Sequence, residues 1–356
     1  MLNATYHGSN RSKLTLSSKE GLLAAVRGRT GWIIGDGKAG HEAQCRGVFE
    51  ALGLAYEVKR IRTGPLQRVL APYVPVARTE RFGAPGSNFA PPWPDFAIAA
   101  GRLTVPYIRA LKQQAKRATF TIILQDPKVP LSTADLFWMP AHDPKRGANV
   151  VTTVVAPHGF SPARLAALRA TAPPAAFAAL PRPWVAVLVG GNGSSYRFTR
   201  ADEMRLAAAL RSIAALGASL LITPSRRTPP SLMTAIAEAT ADHPRFLWDG
   251  TGENPYPAML AHADRFVVTA DSINMCGEPT VTGRPIHFFT PSGGSAKFRR
   301  FHDALARHGA TRPLPEQVTR LDDWRYAPLY AAADIALAVA ERWQRRRAML
   351  SSGSAT

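Results

Sequence analysis

Short runs of consecutive apolar residues alternate along the chain with stretches where apolar residues recur every three to four positions. The first kind predicts buried strands and the second amphipathic helices, so their alternation predicts parallel sheets covered by helices. WIIGD (32–36) reads as the first strand. Residues 41–54 then put Cys45, Val48, Phe49 and Leu52 on one helical face, with Gly53 as a stop. AYEVKRI (55–61), DFAIAAG (95–101), TFTIILQD (119–126), DLFWMP (135–140) and VVTTVVAP (150–157) read as further strands, with a helix over 103–116. The Pro/Gly-rich stretch 64–94 reads as a long irregular excursion.

The alternation stops at TAPPAAFAALPRP (171–183), a proline-rich segment with neither period, which predicts a domain boundary. It restarts with WVAVLVGG (184–191), a helix from Thr199, ASLLITPS (218–225), a helix over 230–240, RFLW (245–248), RFVVTA (265–270), a helix over 275–283 and PIHFF (285–289). Thr199 and Asp202 have capping-box spacing. The expected organisation is therefore a flexible leader (1–29), an α/β domain (30–175) and a second one (184–320). A terminal segment (321–348), with a helix from Trp324 to Arg347, is expected to pack back on the N-terminal domain.

Composition narrows the class. Of 356 residues 46% are hydrophobic and 19% charged, which is a globular balance. No apolar run approaches the roughly 20 residues needed to cross a bilayer. The leader carries Arg11, Lys13, Lys19, Arg27 and Arg29 against Glu20, a faint transit-peptide composition; a floppy extension is the competing reading. Asn3-Ala4-Thr5 has the form of a glycosylation sequon, but nothing else points to secretion. Two cysteines, Cys45 and Cys276, exclude a disulfide framework and a cysteine-rich zinc site and fit a reducing cytoplasm. The net charge of +19 should attract polyanions, anionic lipid or phosphorylated small molecules. Basic residues cluster only at Lys297-Arg299-Arg300 and Arg345-Arg346-Arg347, without a zinc finger or an aromatic RNA-reading motif, so nucleic acid is not expected as a partner.

Open α/β sheets bind ligands beyond the carboxyl ends of their strands. GDGKAGH (35–41) is one such loop: Gly37 and Gly40 permit close backbone approach, beside Asp36 and Lys38, before a helix starting near His41. The spacing is not that of a Walker A loop, and Asp36 and Lys38 would crowd a dinucleotide pyrophosphate. His41 reads either as a helix-start residue bonding the backbone or as a general base. In GGNGSSYRFT (190–199), Gly190, Gly191, Asn192 and Ser194 offer amides and hydroxyls to a diphosphate; a flexible turn is the alternative. TPSRRTP (223–229) adds Ser225, Arg226 and Arg227, whose guanidinium forks match phosphate oxygens unless they are a solvated pair. In VVTADSINMCGEPTVTGRP (267–285), Asp271 and Ser272 end a strand and Glu278 could accept both hydroxyls of a ribose. The competing reading makes Asp271 a helix cap and Glu278 an exposed helical acid. Together these loops match a nucleoside diphosphate better than a metal or a nucleophilic triad.

DGKAGHEAQCRGVFEALGL, VGGNGSSYRFT, TPSRRTP and TADSINMCGEPTVTGRP, in this order, with ILQDPK (123–128) and PAHD (140–143), resemble the plant "elongated mitochondria" fission-factor family. Its bacterial members are described as candidate glycosyltransferases. The resemblance runs from about Gly31 to Arg346. It implies a GT-B-like α/β fold: two Rossmann-like domains with mainly parallel sheets facing across a cleft, the donor nucleotide bound by the second. By analogy with inverting GT-B enzymes it implies that His41 meets the acceptor hydroxyl; Asp126, His142 and Asp143, on neighbouring strand ends, are the fallback bases. Glu278 would hold the ribose and Gly190, Gly191 and Asn192 the diphosphate, with no metal and no cofactor.

The expected function is transfer of a sugar from a nucleoside-diphosphate sugar to a cell-envelope saccharide or lipid-linked acceptor. The expected location is the cytoplasm, peripherally on the inner face of an anionic membrane. The alternative is a non-catalytic membrane-associated scaffold of the fission-factor type. An NAD-dependent epimerase is disfavoured by the missing acidic residue after the second strand and the absent Tyr-x-x-x-Lys pair.

Overall fold

The computed structural model describes residues 15–84 and 86–352. The sequon, Arg11 and Lys13 lie outside the described residues. Within the stretch read as a leader, Leu16–Ala24 is a helix capped by the Thr15 hydroxyl, and Val26 is fully buried.

Fourteen strands form among the described residues. The first sheet holds β1 (Thr30–Gly35), β2 (Ala55–Arg60), β3 (Phe96–Ala100), β4 (Phe120–Leu124), β5 (Leu136–Pro140) and β6 (Val150–Thr153), in the order β2-β1-β3-β4-β5-β6. The second holds β7 (Trp184–Val189), β9 (Ser219–Pro224), β10 (Arg245–Leu247), β11 (Arg265–Thr269), β12 (Ile286–Phe289) and β14 (Thr311–Pro313), in the order β10-β9-β7-β11-β12-β14. A small antiparallel ribbon joins β8 (Tyr196–Arg197) to β13 (Ser292–Gly293). The registered neighbours in both large sheets are parallel. Runs such as Phe96–Ala100 and Trp184–Val189 are buried at every position, as strands covered on both faces must be.

Two compact units contain these sheets. One takes the described residues up to 139, Lys145–Val151 and the residues from 332 onward; the other takes Pro140–Pro144 and Thr152–Ala331. In the first core, Trp32, Ile34, Ala99 and Ile123 pack under the helix Val105–Ala115. In the second, Val187, Leu220, Ile222 and Val267 pack under the helices Arg200–Ala215 and Pro230–Ala239. The excursion over 64–94 is better ordered than its proline content predicts. It carries short helices at Pro65–Leu70 and Arg78–Glu80, and Phe82, Phe89 and Trp93 stack around Trp32 and Tyr107. Glu80 is buried there and accepts the Tyr107 hydroxyl and the Arg62 amide.

The terminal helix runs over Ala331–Ser352, not from Trp324, because Pro328 cannot supply the amide a helix interior needs. VVTTVVAP is a strand only as far as Thr153. The helix expected over 275–283 is a short helix, Ile273–Gly277, followed by a tighter turn, Glu278–Thr282, that begins next to Pro279. Cys45 and Cys276 are both free and buried.

Candidate functional site

Each unit reverses strand order once. In the first sheet the chain adds β2 on one side of β1 and then β3 on the other; in the second it adds β9 and β10 beside β7 and then β11 opposite them. Loops leaving the two central strands of such a sheet diverge and open a crevice at its carboxyl edge. GDGKAGH follows β1 and GGNGSSYRFT follows β7, so both glycine-rich loops stand at a switch point.

At the first of these, Asp36 and His41 form a pair. The helix opens at Ala39, two residues earlier than expected, with Lys38 as its cap residue. His41 therefore lies in the first turn, its amide donating to the Lys38 carbonyl, and its ring returns to the strand end. Its Nδ1 is 3.1 Å from Asp36 Oδ2 and 3.2 Å from Oδ1. The Asp36 side chain is 1% exposed and that of His41 20%. A carboxylate only accepts, so Nδ1 carries the hydrogen and Nε2 is the nitrogen left outside the pair. Gly101, at the end of β3, makes room for the pair: a β-carbon there would lie 2.7 Å from His41 Cε1, and its φ of +88° suits glycine. The Lys38 amide also bonds Asp36, at 3.2 Å, while Gly37 turns the loop and Gly40 lies inside the helix. Arg60 pins the helix to β2 through two bonds to buried Glu42, whose carboxyl it holds below the usual range.

The fallback bases are engaged or sequestered. Burial pushes the Asp126 carboxyl up, but bonds from Lys128 and Lys145, each 2.9 Å, outweigh it and hold the group below the carboxylate range. Asp143 pairs with Lys297 at 3.3 Å. His142 is buried against Phe301 with neither ring nitrogen bonded, and burial holds its pKa at about 4.

At the second switch point the structure corrects the reading of the glycine loop. The Gly190 amide donates to Thr269 Oγ1 at 2.7 Å, Gly191 to Asp271 Oδ2 at 2.9 Å, Asn192 to the Arg227 carbonyl at 3.3 Å and Gly193 to the Tyr196 carbonyl at 2.9 Å. These amides are bonded within the protein and do not form an open diphosphate cradle. Asp271 organises the knot: it is buried, accepts the Thr269 hydroxyl and lies 3.5 Å from Arg227 Nη2. Gly190 is glycine because a β-carbon would fall 2.1 Å from the Asp271 carboxylate. Asp271 caps no helix; the Ser272 hydroxyl does, accepting the Met275 amide. Ser225 is likewise turned inward, bonding its own turn through Thr228, whose hydroxyl reaches the Gly190 carbonyl at 2.6 Å. The Asn192 side chain accepts the Phe198 amide at 2.8 Å.

What stays outward is cationic. Arg226, Arg227 and Ser194 are exposed, and Arg227 bonds the Asn192 carbonyl at 3.1 Å. Glu278 is not an exposed helical acid: it is part-buried, Tyr256 donates to its Oε2, and burial raises its pKa to about 7. Beside the ribbon of β8 and β13 lies a cavity of about 290 Å³ whose lining includes Tyr196, Thr290, Ser295, Arg299, His302 and Asp303. His302 Nε2 meets the Ala270 carbonyl at 2.9 Å, so that nitrogen donates and the unbonded, buried Nδ1 is an acceptor. Burial lowers the His302 pKa and keeps the ring neutral. Sequence reasoning noted Arg299 only as part of a basic cluster and did not single out His302 or Thr228. PSGGSAKFRRFH (291–302), a glycine pair after a strand and before a helix, carried the signal for the first two. Among the described residues, no group of three or more His, Cys, Asp or Glu is set to hold a metal ion, and no helix is long and apolar enough to cross a membrane.

The architecture is a GT-B-like α/β fold. It is similar to that of a candidate UDP-N-acetylglucosamine 2-epimerase from Listeria monocytogenes, with a TM-score of 0.50 at 11% identity over 87% of this chain and 88% of that one. The Mitochondrial fission protein ELM1 of Arabidopsis thaliana is 29% identical over 267 residues, 68% of this chain. Those residues are 62% of the plant protein, so the chain spans less than two thirds of that relative. An uncharacterized protein of Rickettsia prowazekii (strain Madrid E) is 26% identical over 348 residues, 86% of this chain and 96% of its own length. The family profile of Mitochondrial fission ELM1 matches residues 39–343, nearly the whole described chain, and this protein belongs to that family.

Proposed function

We propose that this protein binds a nucleoside-diphosphate sugar at the carboxyl edge of its second sheet and moves the sugar to a hydroxyl of a saccharide or lipid-linked acceptor. One observation carries the reading: the cavity lined by Arg299 and the neutral acceptor His302 opens on the same edge as Arg226, Arg227 and Glu278. The Listeria neighbour is named for a nucleotide sugar, but that likeness shows the fold alone; the reading rests on these residues.

Guanidiniums at Arg226 and Arg227 would compensate the charge that grows on the leaving diphosphate. Glu278 keeps Oε1 for ribose hydroxyls, since Tyr256 takes Oε2. His302 Nδ1 would accept from a sugar hydroxyl. The transfer forms the new C–O bond as the bond from C1 to the diphosphate oxygen breaks, and the proposed base for the acceptor's proton is His41 Nε2 of the first unit. Asp36 holds the ring in that tautomer and stabilises the imidazolium. The protein would work from the cytoplasm on the inner face of an anionic membrane. Leu66, Val69 and Tyr73, each at least 70% exposed around Arg68, support that association.

A second reading, a non-catalytic scaffold, is favoured by the glycine-loop amides that are bonded internally. A thermal-shift screen against UDP-, GDP-, CMP- and dTDP-sugars separates the two. Transferase function requires that one of them raise the melting temperature, and that Glu278→Ala and Arg227→Ala each remove the rise. If none stabilises the wild type, the scaffold reading stands.

A further inference from the structure

The opposite edge of the first sheet carries a site of different character. A cavity of about 240 Å³ opens there, lined by Arg29 just before β1, Arg117 in the turn before β4, and Arg346 and Arg347 of the helix Ala331–Ser352. Trp343 and Phe120 form its apolar wall. Positions more than 200 residues apart in sequence thus bring four guanidiniums to one hollow.

The charges there are unbalanced. Asp95 pairs with Arg29 at 3.6 Å, and its other oxygen is taken by the Thr30 amide at 3.0 Å. Asp135 pairs with Arg346 at 3.0 Å. Arg117 and Arg347 meet no carboxylate among the described residues. Two positive charges therefore stand uncompensated in a hollow where like charges repel, an arrangement that a bound anion relieves.

Three of the four guanidiniums, those of Arg29, Arg346 and Arg347, are also held in place. Arg29 and Arg347 lie over the Trp343 ring, 5.4 and 4.9 Å from its centroid, an arrangement that fixes a guanidinium plane. Arg346 donates to the Arg117 carbonyl at 2.6 Å and the Thr119 carbonyl at 3.2 Å, locking the Arg117 turn to the helix. Fixed guanidinium forks suit phosphate oxygens, and a ring or chain of the ester would lie on Trp343. We propose that this edge binds a phosphate ester, at a site separate from the carboxyl-edge groups described above. The ester could be a soluble phosphorylated small molecule or a phospholipid headgroup.

The test uses the full chain with inorganic pyrophosphate as probe, followed by calorimetry. A rise in melting temperature and saturable binding are expected for the wild type and for Arg226→Ala/Arg227→Ala, which removes the two guanidiniums proposed for the donor diphosphate. Added to that variant, Arg117→Ala/Arg347→Ala should weaken binding about tenfold or more. Arg211→Ala/Arg307→Ala, which loses the same charge elsewhere, should bind like the wild type. Co-sedimentation with phosphatidylcholine vesicles containing or lacking phosphatidic acid identifies the source. Arg117/Arg347-dependent sedimentation marks a headgroup, and its absence beside pyrophosphate binding marks a soluble ester. No pyrophosphate binding, or equal weakening in both charge-loss variants, overturns the proposal.

Discussion

Tyr256 donates its hydroxyl hydrogen to Oε2 of Glu278, within a pocket whose burial raises that carboxyl from 4.5 to about 7. The tyrosine bond favours the ionised form but is outweighed by desolvation. Between those two pH values the folded chain keeps a proton that the unfolded chain has lost. The stability from this group is therefore fully present below about 4.5 and is lost as pH rises through about 7. At about 1.4 kcal/mol per unit, and reduced for the solvent contact Glu278 keeps, the loss should be about 2 kcal/mol. Glu278→Gln should flatten the slope in urea unfolding measured from pH 5 to 8. Parallel slopes for wild type and variant would contradict a buried, proton-holding Glu278.

Histidine at position 142 should act in the opposite sense. Burial holds its pKa at about 4, so the folded chain resists a proton that the unfolded chain accepts near 6.5. That contribution is present above pH 6.5 and is lost as pH falls toward 4. With neither ring nitrogen bonded, His142→Leu removes buried polar atoms that have no partner. It is expected to raise stability at pH 7 by about 1 kcal/mol and to reduce acid sensitivity. A loss of stability in denaturant titration would show that the ring has a partner after all.

Gly101→Ala tests the His41–Asp36 pair without touching either residue. The new methyl would meet His41 Cε1 at 2.7 Å and force a left-handed backbone on alanine. Nitrogen-15 NMR of the wild type should show His41 protonated at Nδ1 and bare at Nε2. In the variant the ring should leave Asp36 and the tautomers should mix, with a stability loss of about 1–2 kcal/mol. An unchanged His41 spectrum would mean that Gly101 does not hold the pair.

Asp271→Ala should cost about 2–3 kcal/mol, because it strips the acceptor from the buried Gly191 amide. Gly190→Ala should cost at least as much, since its methyl would collide with the Asp271 carboxylate. Combined, the two should cost at least about 1 kcal/mol less than their sum, as Asp271→Ala removes the carboxylate that the Gly190→Ala methyl would strike. Additive losses in equilibrium unfolding would place the origin of the Gly190 penalty elsewhere.

The periods of the chain alone determined the strand-and-helix alternation and both glycine-rich loops, because burial on both faces of a parallel sheet leaves apolar runs that read directly, whereas the units divide near residues 140–152 and 331 rather than at the proline-rich segment near 180. Residue chemistry also marked His41, Arg227 and Glu278, each near the carboxyl end of a strand. Which of these groups is free, and which is already used, was decided by tertiary structure. The Gly191 amide looks open in sequence, but Asp271, 80 residues on, takes it; Asp126 looks like a base, but Lys145 holds it. The arginine hollow at the amino edge exists only once residues 29, 117 and 347 meet. Sequence spacing encodes contacts within an element, where geometry is fixed by the helix or strand repeat. Hydrogen-bond partners and charge balance between elements depend on distances that no local repeat records.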